Sequence, residues 1–269
     1  MNKSPLRVIH RSNKSSQTAE IWRPPLFVRS VGRWGWAAAA LRRILDLQAL
    51  SIWRDLRKVL PHVGGTVVDV GCGAQPYRSL FPVSTKYIGI DSLSARDHFG
   101  YDFPDTLYFS GNRWPVADDT ADFVLCTETL EHVCDPEAFL LEAFRCLSPG
   151  GTILITVPFA ARWHFIPLDY WRFTPSGLAH LLQKSGFVNT AVYARGNAFT
   201  VACYKFMALV LRLAMPQTEA VVSRLALQII SVPFLPALVL LAVLGNCSLA
   251  GQGGDDCLGY TAISEKESL

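Results

Sequence analysis

The 269-residue sequence predicts an α/β protein with a mostly parallel sheet and helices on both of its faces. Short apolar runs alternate with helical stretches from residue 60 to residue 195, which is typical of parallel strands joined by right-handed helical crossovers. The first of these runs ends in a glycine-rich turn, and ligands of open parallel sheets bind where strands end in this way. Half of the residues are hydrophobic, so the chain can bury a core of ordinary size.

Apolar and β-branched runs predict seven strands. They lie near residues 66–70, 87–91, 107–110, 123–127, 152–157, 188–193 and 258–264. Two helix starts are also visible, since Asp135-Pro136 and Thr174-Pro175 each place a capping side chain before a proline at the first helical position. The first of these helices should end near Cys146, and Gly186 is a plausible C-terminal cap for the second.

The sequence VVDVGCGAQPY at residues 67–77 is the most informative stretch. It runs from a predicted strand through Asp69 into Gly71 and Gly73, and a turn with these glycines lets the backbone approach a ligand closely. A dinucleotide-binding turn requires a third glycine at the position that Pro76 occupies. The turn therefore favours a smaller nucleoside ligand without a pyrophosphate.

Three further blocks follow at characteristic distances: YIGID ending at Asp91, then residues 114–136, then LSPGGTILITVPF at 147–159. In this order, the blocks resemble a class I S-adenosylmethionine-dependent methyltransferase of the type-11 group. The resemblance covers residues 60–195 and 258–265. It implies a Rossmann-like, seven-stranded, mostly parallel sheet and S-adenosyl-L-methionine as the cofactor.

The resemblance also implies roles for individual residues. It assigns cofactor binding to Asp69, Gly71, Gly73, Asp91, Ser110, Asn112 and Glu128. Gly71 and Gly73 would cradle the amino-acid end of the cofactor, and the carboxylate of Asp91 would accept hydrogen bonds from the ribose hydroxyls. Members of the family usually carry an acid near the adenine, whereas this chain has Ser110 and Asn112 there.

Candidate catalytic residues are His132, His164 and Asp169. Methyl transfer to a hydroxyl is helped by a nearby base, and these side chains follow the fourth and fifth predicted strands. Each has a structural alternative: His132 could only pack, and Asp169 could pair with Arg172 to hold its loop. The chain lacks an Asn-Pro-Pro-aromatic motif after the fourth strand, which argues against methylation of nucleobase or glutamine nitrogens.

The seven cysteines form no CxxC pair, and no Cys/His cluster has the spacing of metal ligands. We therefore expect free thiols, a reducing compartment and no metal site. Residues 1–58 hold twelve Lys/Arg and three acidic residues but no apolar segment typical of a secretory signal. This basic arm could be solvated, could bind anionic lipid headgroups or could bind nucleic acid, for which no recognition module is visible.

The amphipathic pattern between residues 36 and 60 predicts a helix, which could lie over the cofactor site or only cover the edge of the sheet. The predicted domain organisation is then a basic arm with this helix (1–58), a methyltransferase core (59–197), an apolar helical insertion between the last two strands (198–253), and the last strand with a tail (254–269).

The insertion contains 26 uncharged residues, 225–250, which is long enough to span a bilayer. Pro233 and Pro236 interrupt it, and the return of the last strand to the sheet requires both of its ends on one side. We therefore favour helices lying in one leaflet on the cytoplasmic face, peripheral or monotopic. A soluble subdomain, a dimer interface and a true span remain as alternatives.

Together these features predict an enzyme that methylates a lipidic or membrane-tethered glycan acceptor, with O-methylation favoured over C-methylation. The expected partners are this acceptor and a membrane surface, rather than nucleic acid. Two alternatives belong to other classes: a non-catalytic scaffold with the same fold, and a nucleic-acid methyltransferase that uses the basic arm.

Overall fold

The computed structural model describes residues 44–218, 220–251 and 253–268, so most of the predicted basic arm lies outside the described residues. Within these ranges one seven-stranded sheet forms. Its strands are β1 (Thr66–Val70), β2 (Lys86–Ser92), β3 (Thr106–Phe109), β4 (Ala121–Thr127), β5 (Leu147–Pro158), β6 (Val188–Arg195) and β7 (Gly259–Glu265). The order across the sheet is β3-β2-β1-β4-β5-β7-β6. The strand β7 is antiparallel to both neighbours, and the pairs among β1 to β5 are parallel. The predicted fold class is confirmed.

The described residues form seven α-helices, and no α-helix separates β1 from β2 or β3 from β4. The helices are α1 (Leu47–Val59), α2 (Leu93–Phe99), α3 (Pro136–Cys146), α4 (Pro175–Lys184), α5 (Ala198–Ala214), α6 (Val221–Ser231) and α7 (Leu235–Ser248). The two proline-led starts are confirmed, because the side chains of Asp135 and Thr174 cap α3 and α4 by accepting hydrogen bonds from backbone amides. The sequence did not predict the short helix α2, which Ser92 caps and which Gly100 ends in a left-handed conformation.

The sheet buries a different apolar cluster on each face. Alternation along β1 directs Val68 and Val70 into the larger cluster and Val67 into the smaller one, on the opposite face. The helix α1 belongs to the smaller cluster through Ile52 and Leu56. It therefore covers the sheet face opposite the larger cluster.

The insertion between β6 and β7 is a helical hairpin. Helix α5 leads away from the sheet, and α6 and α7 return, joined by a 3-10 turn at Val232–Phe234 that contains one of the interrupting prolines. The two ends of the hairpin meet: the Asn197 side chain donates to Ser248 O at 3.1 Å, and the hydroxyls of Thr200 and Ser248 are 2.6 Å apart. Both ends of the insertion thus lie at one place beside the sheet.

Much of this hairpin is apolar and exposed. The stretch Val221–Ser248 is long and apolar enough to cross a membrane by length and composition, with a mean hydropathy of 2.4 in a window of which 17% is buried. The side chains of Val222, Ile229 and Val239 are 82%, 70% and 60% exposed. Because β6 runs parallel to β1 to β5, the insertion leaves the sheet on the side formed by the carboxyl ends of those strands.

Candidate functional site

A cavity of about 530 Å³ lies where β1, β2 and β4 end. Its volume is within the range of roughly 300–1,000 Å³ found for small-molecule sites. Six of the predicted site residues line it, namely Gly71, Asp91, Ser110, Asn112, Glu128 and His132. The remaining four, Asp69, Gly73, His164 and Asp169, are not among its lining residues.

Asp91 ends the buried part of β2 and is the best-connected carboxylate of the cavity. Its Oδ1 accepts from the amide of Ser92 at 2.7 Å, and its Oδ2 accepts from the amide of Gly73 at 2.9 Å and from the hydroxyl of Tyr101 at 3.1 Å. Burial raises the pKa of Asp91, and these three hydrogen bonds act in the opposite direction. Since a carboxylate can accept about four hydrogen bonds, one position is still open to a ligand hydroxyl.

The turn after β1 requires glycine at two positions. Gly71 and Gly73 have φ angles of +70° and +49°, in the left-handed region that other residues avoid. A Cβ on Gly71 would lie 2.3 Å from Oγ1 of Thr129, which is a severe overlap. The turn therefore packs directly against the residues that follow β4, and it borders the cavity with backbone only.

Asp69 lies on the other face of the sheet from the cavity. The hydroxyl of Tyr87 donates to its Oδ2 at 2.6 Å, while its buried Oδ1 has no hydrogen bond partner among the described residues. Burial raises the pKa of Asp69 to about 7, more than the hydrogen bond from Tyr87 lowers it. The geometry gives Asp69 a supporting position beneath the turn.

The part of the cavity near β3 combines an apolar wall with a polar rim. Leu93 and Phe139 line the wall together with Trp114, whose ring packs edge-on against Phe139 with the centroids 5.0 Å apart. Ser110 and Asn112 are exposed at the rim. Such a wall suits a planar base, and the rim offers a hydroxyl and an amide in place of a carboxylate.

An aromatic roof covers the cavity, and the sequence did not predict it. Tyr101 and Phe99 stack with their centroids 5.7 Å apart, and Phe99 stacks on Phe165 at 4.9 Å. His132 meets the same phenylalanine edge-on at 5.0 Å. The dense aromatic run HFGYDF at residues 98–103 was the available signal, but nothing in it indicated a contact with Phe165.

Glu128 is held by a buried arginine. Its φ angle of +48° is unusual for a residue other than glycine, and such conformations cluster at functional sites. Nη2 of Arg195 lies 2.7 Å from Oε1 of Glu128, and the guanidinium also donates to Val157 O and Ser51 Oγ. Arg195 ends β6, far from Glu128 in sequence, so the pair could not be predicted from spacing.

His132 contributes a neutral imidazole to the wall of the cavity. Its Nδ1 lies 2.7 Å from Leu168 O, and a carbonyl can only accept, so Nδ1 carries the hydrogen. Burial, followed by the charge of nearby His164, lowers the pKa of His132 to about 4. The ring is consequently a weak base at neutral pH.

The side chain of Asp169 lies between His164 and Arg172 and is fully buried. Its carboxylate binds Arg172 through both oxygens, at 2.6 and 2.8 Å, and lies 3.1 Å from Nδ1 of His164. The hydrogen bonds from Arg172 and His164 hold the pKa of this carboxyl well below its usual range, although burial opposes them. The predicted pair of Asp169 and Arg172 is present, and it positions His164.

The described residues fit S-adenosylmethionine. The cavity offers one buried carboxylate with an open acceptor position, a glycine turn that a Cβ on Gly71 would block, and an apolar wall for a base. In this arrangement Asp91 would hold the ribose, Gly71 and its turn the methionine end, and Leu93 the face of the adenine.

Comparison with known proteins gives a consistent result. The family model described as "Methyltransferase domain" matches residues 41–192. A methyltransferase of Mycobacteroides abscessus is 32% identical over 115 residues, which are 39% of this chain and 44% of that protein, so the chain spans less than half of that relative. A ubiquinone biosynthesis O-methyltransferase of Rhizobium leguminosarum bv. trifolii is 29% identical over 185 residues, covering 63% of this chain and 71% of that protein. A methyltransferase structure from Thermotoga maritima superposes with a TM-score of 0.50 at 16% identity, covering 87% and 97% of the two chains.

Proposed function

Since the chain belongs to the methyltransferase-domain family, as a class I S-adenosylmethionine-dependent methyltransferase, we propose that it methylates a hydroxyl oxygen of a lipidic or membrane-tethered acceptor at a membrane surface. The acceptor would be a quinone-like ring or a lipid-linked glycan. C-methylation is the alternative reaction at the same site.

The observation that carries the proposal is the position of the apolar insertion. It leaves the sheet at the edge where the cofactor cavity lies, and Lys205 of α5 donates a hydrogen bond to Ala160 O. Ala160 is the second residue of the loop 159–174, and this loop carries Phe165 and Leu168 into the lining of the cavity. An acceptor held at the apolar surface of α5 to α7 would thus have the loop beside it.

The surface itself supports a membrane-bound location. Exposed apolar patches of monomeric soluble proteins rarely exceed a few hundred Å², and larger ones mark interfaces or membrane contacts. Exposed apolar side chains occur along α5, α6 and α7, among them Phe206, Leu209 and Leu240. Because Asn197 and Ser248 hold the two ends of the hairpin together, a monotopic arrangement in one leaflet fits better than a single span.

The reaction requires little covalent chemistry from the protein. S-adenosylmethionine would supply an activated methyl group: its sulfur–methyl bond breaks as the methyl forms an ether with the acceptor oxygen, S-adenosylhomocysteine is left, and the hydroxyl proton is released to solvent. The chain's own contribution is to align the acceptor and to exclude water, for which the roof of Phe99, Tyr101 and Phe165 is suited. The relatives named as ubiquinone biosynthesis O-methyltransferases favour oxygen over carbon as the methylated atom.

The experiment is methylation of a total membrane lipid extract with S-adenosylmethionine labelled in its methyl group. We expect the label in a product that is soluble in organic solvent, and NMR of that product should show a methyl ether. The variant Asp91→Ala should give much less labelled product at the same cofactor concentration. Label recovered in nucleic acid or only in water-soluble compounds would contradict the proposal.

A further inference from the structure

A buried carboxylate beside the cavity lacks the partners that such a group needs. Glu131 is 0% exposed, and neither of its carboxylate oxygens has a hydrogen bond partner among the described residues. An ionised carboxylate left in this state costs several kcal/mol, so buried acids are normally paired or bind a cation. Among the described residues, the closest cationic or imidazole group is Nε2 of His132, 3.5 Å from Oε1.

A second histidine completes the cluster. One ligand atom from each of Glu131, His132 and His164 lies within 4.8 Å of the other two. The rings of the two histidines meet edge-on with their centroids 4.8 Å apart. His164 comes from the loop after β5, on a different segment from the other two residues, which is why the spacing of the sequence showed no metal site.

Both imidazoles are oriented as metal ligands usually are. A histidine that binds a metal through one nitrogen normally donates the other N–H to a carbonyl or a carboxylate. Nδ1 of His132 is 2.7 Å from Leu168 O, and Nδ1 of His164 is 2.9 Å from Arg162 O and 3.1 Å from the carboxylate of Asp169. In each ring the lone pair is therefore left on Nε2.

We propose that Glu131, His132 and His164 form a binding site for one divalent first-row transition metal ion. Two imidazoles and one carboxylate are the ligands of several zinc enzymes and of the non-haem iron sites that keep open positions. Ligand atoms about 2.0–2.2 Å from an ion are at most about 4.4 Å apart, so binding draws the three side chains together slightly. Mg²⁺, which prefers oxygen ligands and keeps its water, should not be retained.

The ion would border the cofactor cavity, because His132 lines it. With three protein ligands, open positions remain for an acceptor oxygen, and coordination lowers the pKa of a bound hydroxyl. A metal ion at this position would activate an acceptor hydroxyl directly. This role in catalysis rests on the proposed function, whereas metal binding itself does not.

The test is titration calorimetry of the full chain in detergent, stripped with a chelator and titrated with Zn²⁺ alone. We expect one equivalent to bind, and Glu131→Gln and His164→Ala each to weaken binding at least about 100-fold. The control variants are His180→Ala, an exposed histidine on α4, and Cys134→Ser, an exposed thiol near His132. Both should bind as the unaltered chain does.

Co²⁺ provides a second readout that does not depend on activity. A site of two imidazoles and one carboxylate should give visible absorption bands of the ion without the charge-transfer band of a cobalt thiolate. Circular dichroism shows whether each variant is folded. If Glu131→Gln does not fold, His164→Ala still tests the site. Absence of stoichiometric Zn²⁺ binding, equal binding by His164→Ala, or a thiolate band would each overturn the proposal, even if methyl transfer is observed.

Discussion

Asp91 Oδ2 accepts a hydrogen bond from the Gly73 amide at 2.9 Å, which joins the end of β2 to the glycine turn after β1. One carboxylate thus shapes the turn and also presents its remaining acceptor position to the cavity. A change at Asp91 should therefore affect both the turn and the cavity wall, which are the positions proposed for the methionine end and the ribose of the cofactor.

Replacing Gly71 should lower the free energy of unfolding more than replacing another glycine of the same conformation. Gly71→Ala places a methyl group 2.3 Å from Thr129 and also forces alanine into the left-handed region. Gly100 has a similar φ of +67° but open space around its Cβ position. We expect Gly100→Ala to cost about 1 kcal/mol in the free energy of unfolding, and Gly71→Ala to cost about 1–3 kcal/mol more.

Denaturant unfolding of both variants measures this difference. Equal losses of stability would contradict the close packing of the turn against Thr129.

The stability of the protein should depend on pH through Asp69. Its pKa is about 7 in the folded chain against 3.8 when unperturbed, so the folded state holds a proton that the unfolded state releases earlier. The stabilisation that comes from this raised pKa is fully present below about pH 4. It is lost as the pH rises through 7 and does not return at higher pH. The loss amounts to at most about 4 kcal/mol.

Asp69→Asn removes this ionisation and keeps an oxygen that can accept from Tyr87. Between pH 4 and pH 7 the unaltered chain should therefore lose stability that the variant keeps. The free energy of unfolding of the variant should rise relative to that of the unaltered chain. A difference that stays constant over this interval would show that Asp69 titrates normally.

Residues of the site that obey local sequence rules could be predicted, whereas residues that depend on contacts distant in the sequence could not. Gly71 and Asp91, which line the cavity, could be selected from the sequence because local rules apply to them: a turn that needs positive φ, and an acid at the end of a strand. Arg195, Tyr101 and Phe165 could not, because their roles depend on contacts made across the sheet or between loops. Asp69 illustrates a further limit, since its position in the motif did not reveal that its side chain faces away from the cavity.

Fold prediction succeeded for the same reason. All seven strands are marked by local apolar runs, and α3 and α4 by proline-led caps, whereas the seven-residue helix α2 carries no buried residue. The hairpin of α5 to α7 was visible only as hydropathy. Its closure at Asn197 and Ser248 is a tertiary contact that no periodicity encodes.

Removing the buried arginine should destabilise the fold. Arg195→Met leaves Glu128 without its ion pair and Val157 O without its side-chain donor. We expect a loss of about 3 kcal/mol in the free energy of unfolding. Glu128→Gln keeps a neutral acceptor for the arginine and should cost less. Thermal and denaturant unfolding measure both, and a smaller loss for Arg195→Met than for Glu128→Gln would contradict the arrangement.

Membrane binding should depend on the exposed apolar residues of α6 and α7. The triple variant Val222→Lys, Ile229→Lys and Val239→Lys places three charges on this surface and should leave the vesicle fraction in a flotation assay, because charged side chains are costly within a bilayer. The matched control, Val83→Lys with Leu107→Lys and Leu141→Lys, changes exposed apolar residues of the core domain. Release of the control, or retention of the first variant, would place the membrane contact elsewhere.

The most direct test of the cofactor site is calorimetric titration of the full chain with S-adenosylmethionine. We expect one equivalent to bind. Asp91→Ala should weaken binding about 10- to 100-fold, since it removes one hydrogen bond from the ligand to a charged group, which contributes about 1.5–3 kcal/mol. Asp97→Ala, which removes an exposed acid of α2, should have no effect. No binding by the unaltered chain at millimolar cofactor, or undiminished binding by Asp91→Ala, would contradict the account.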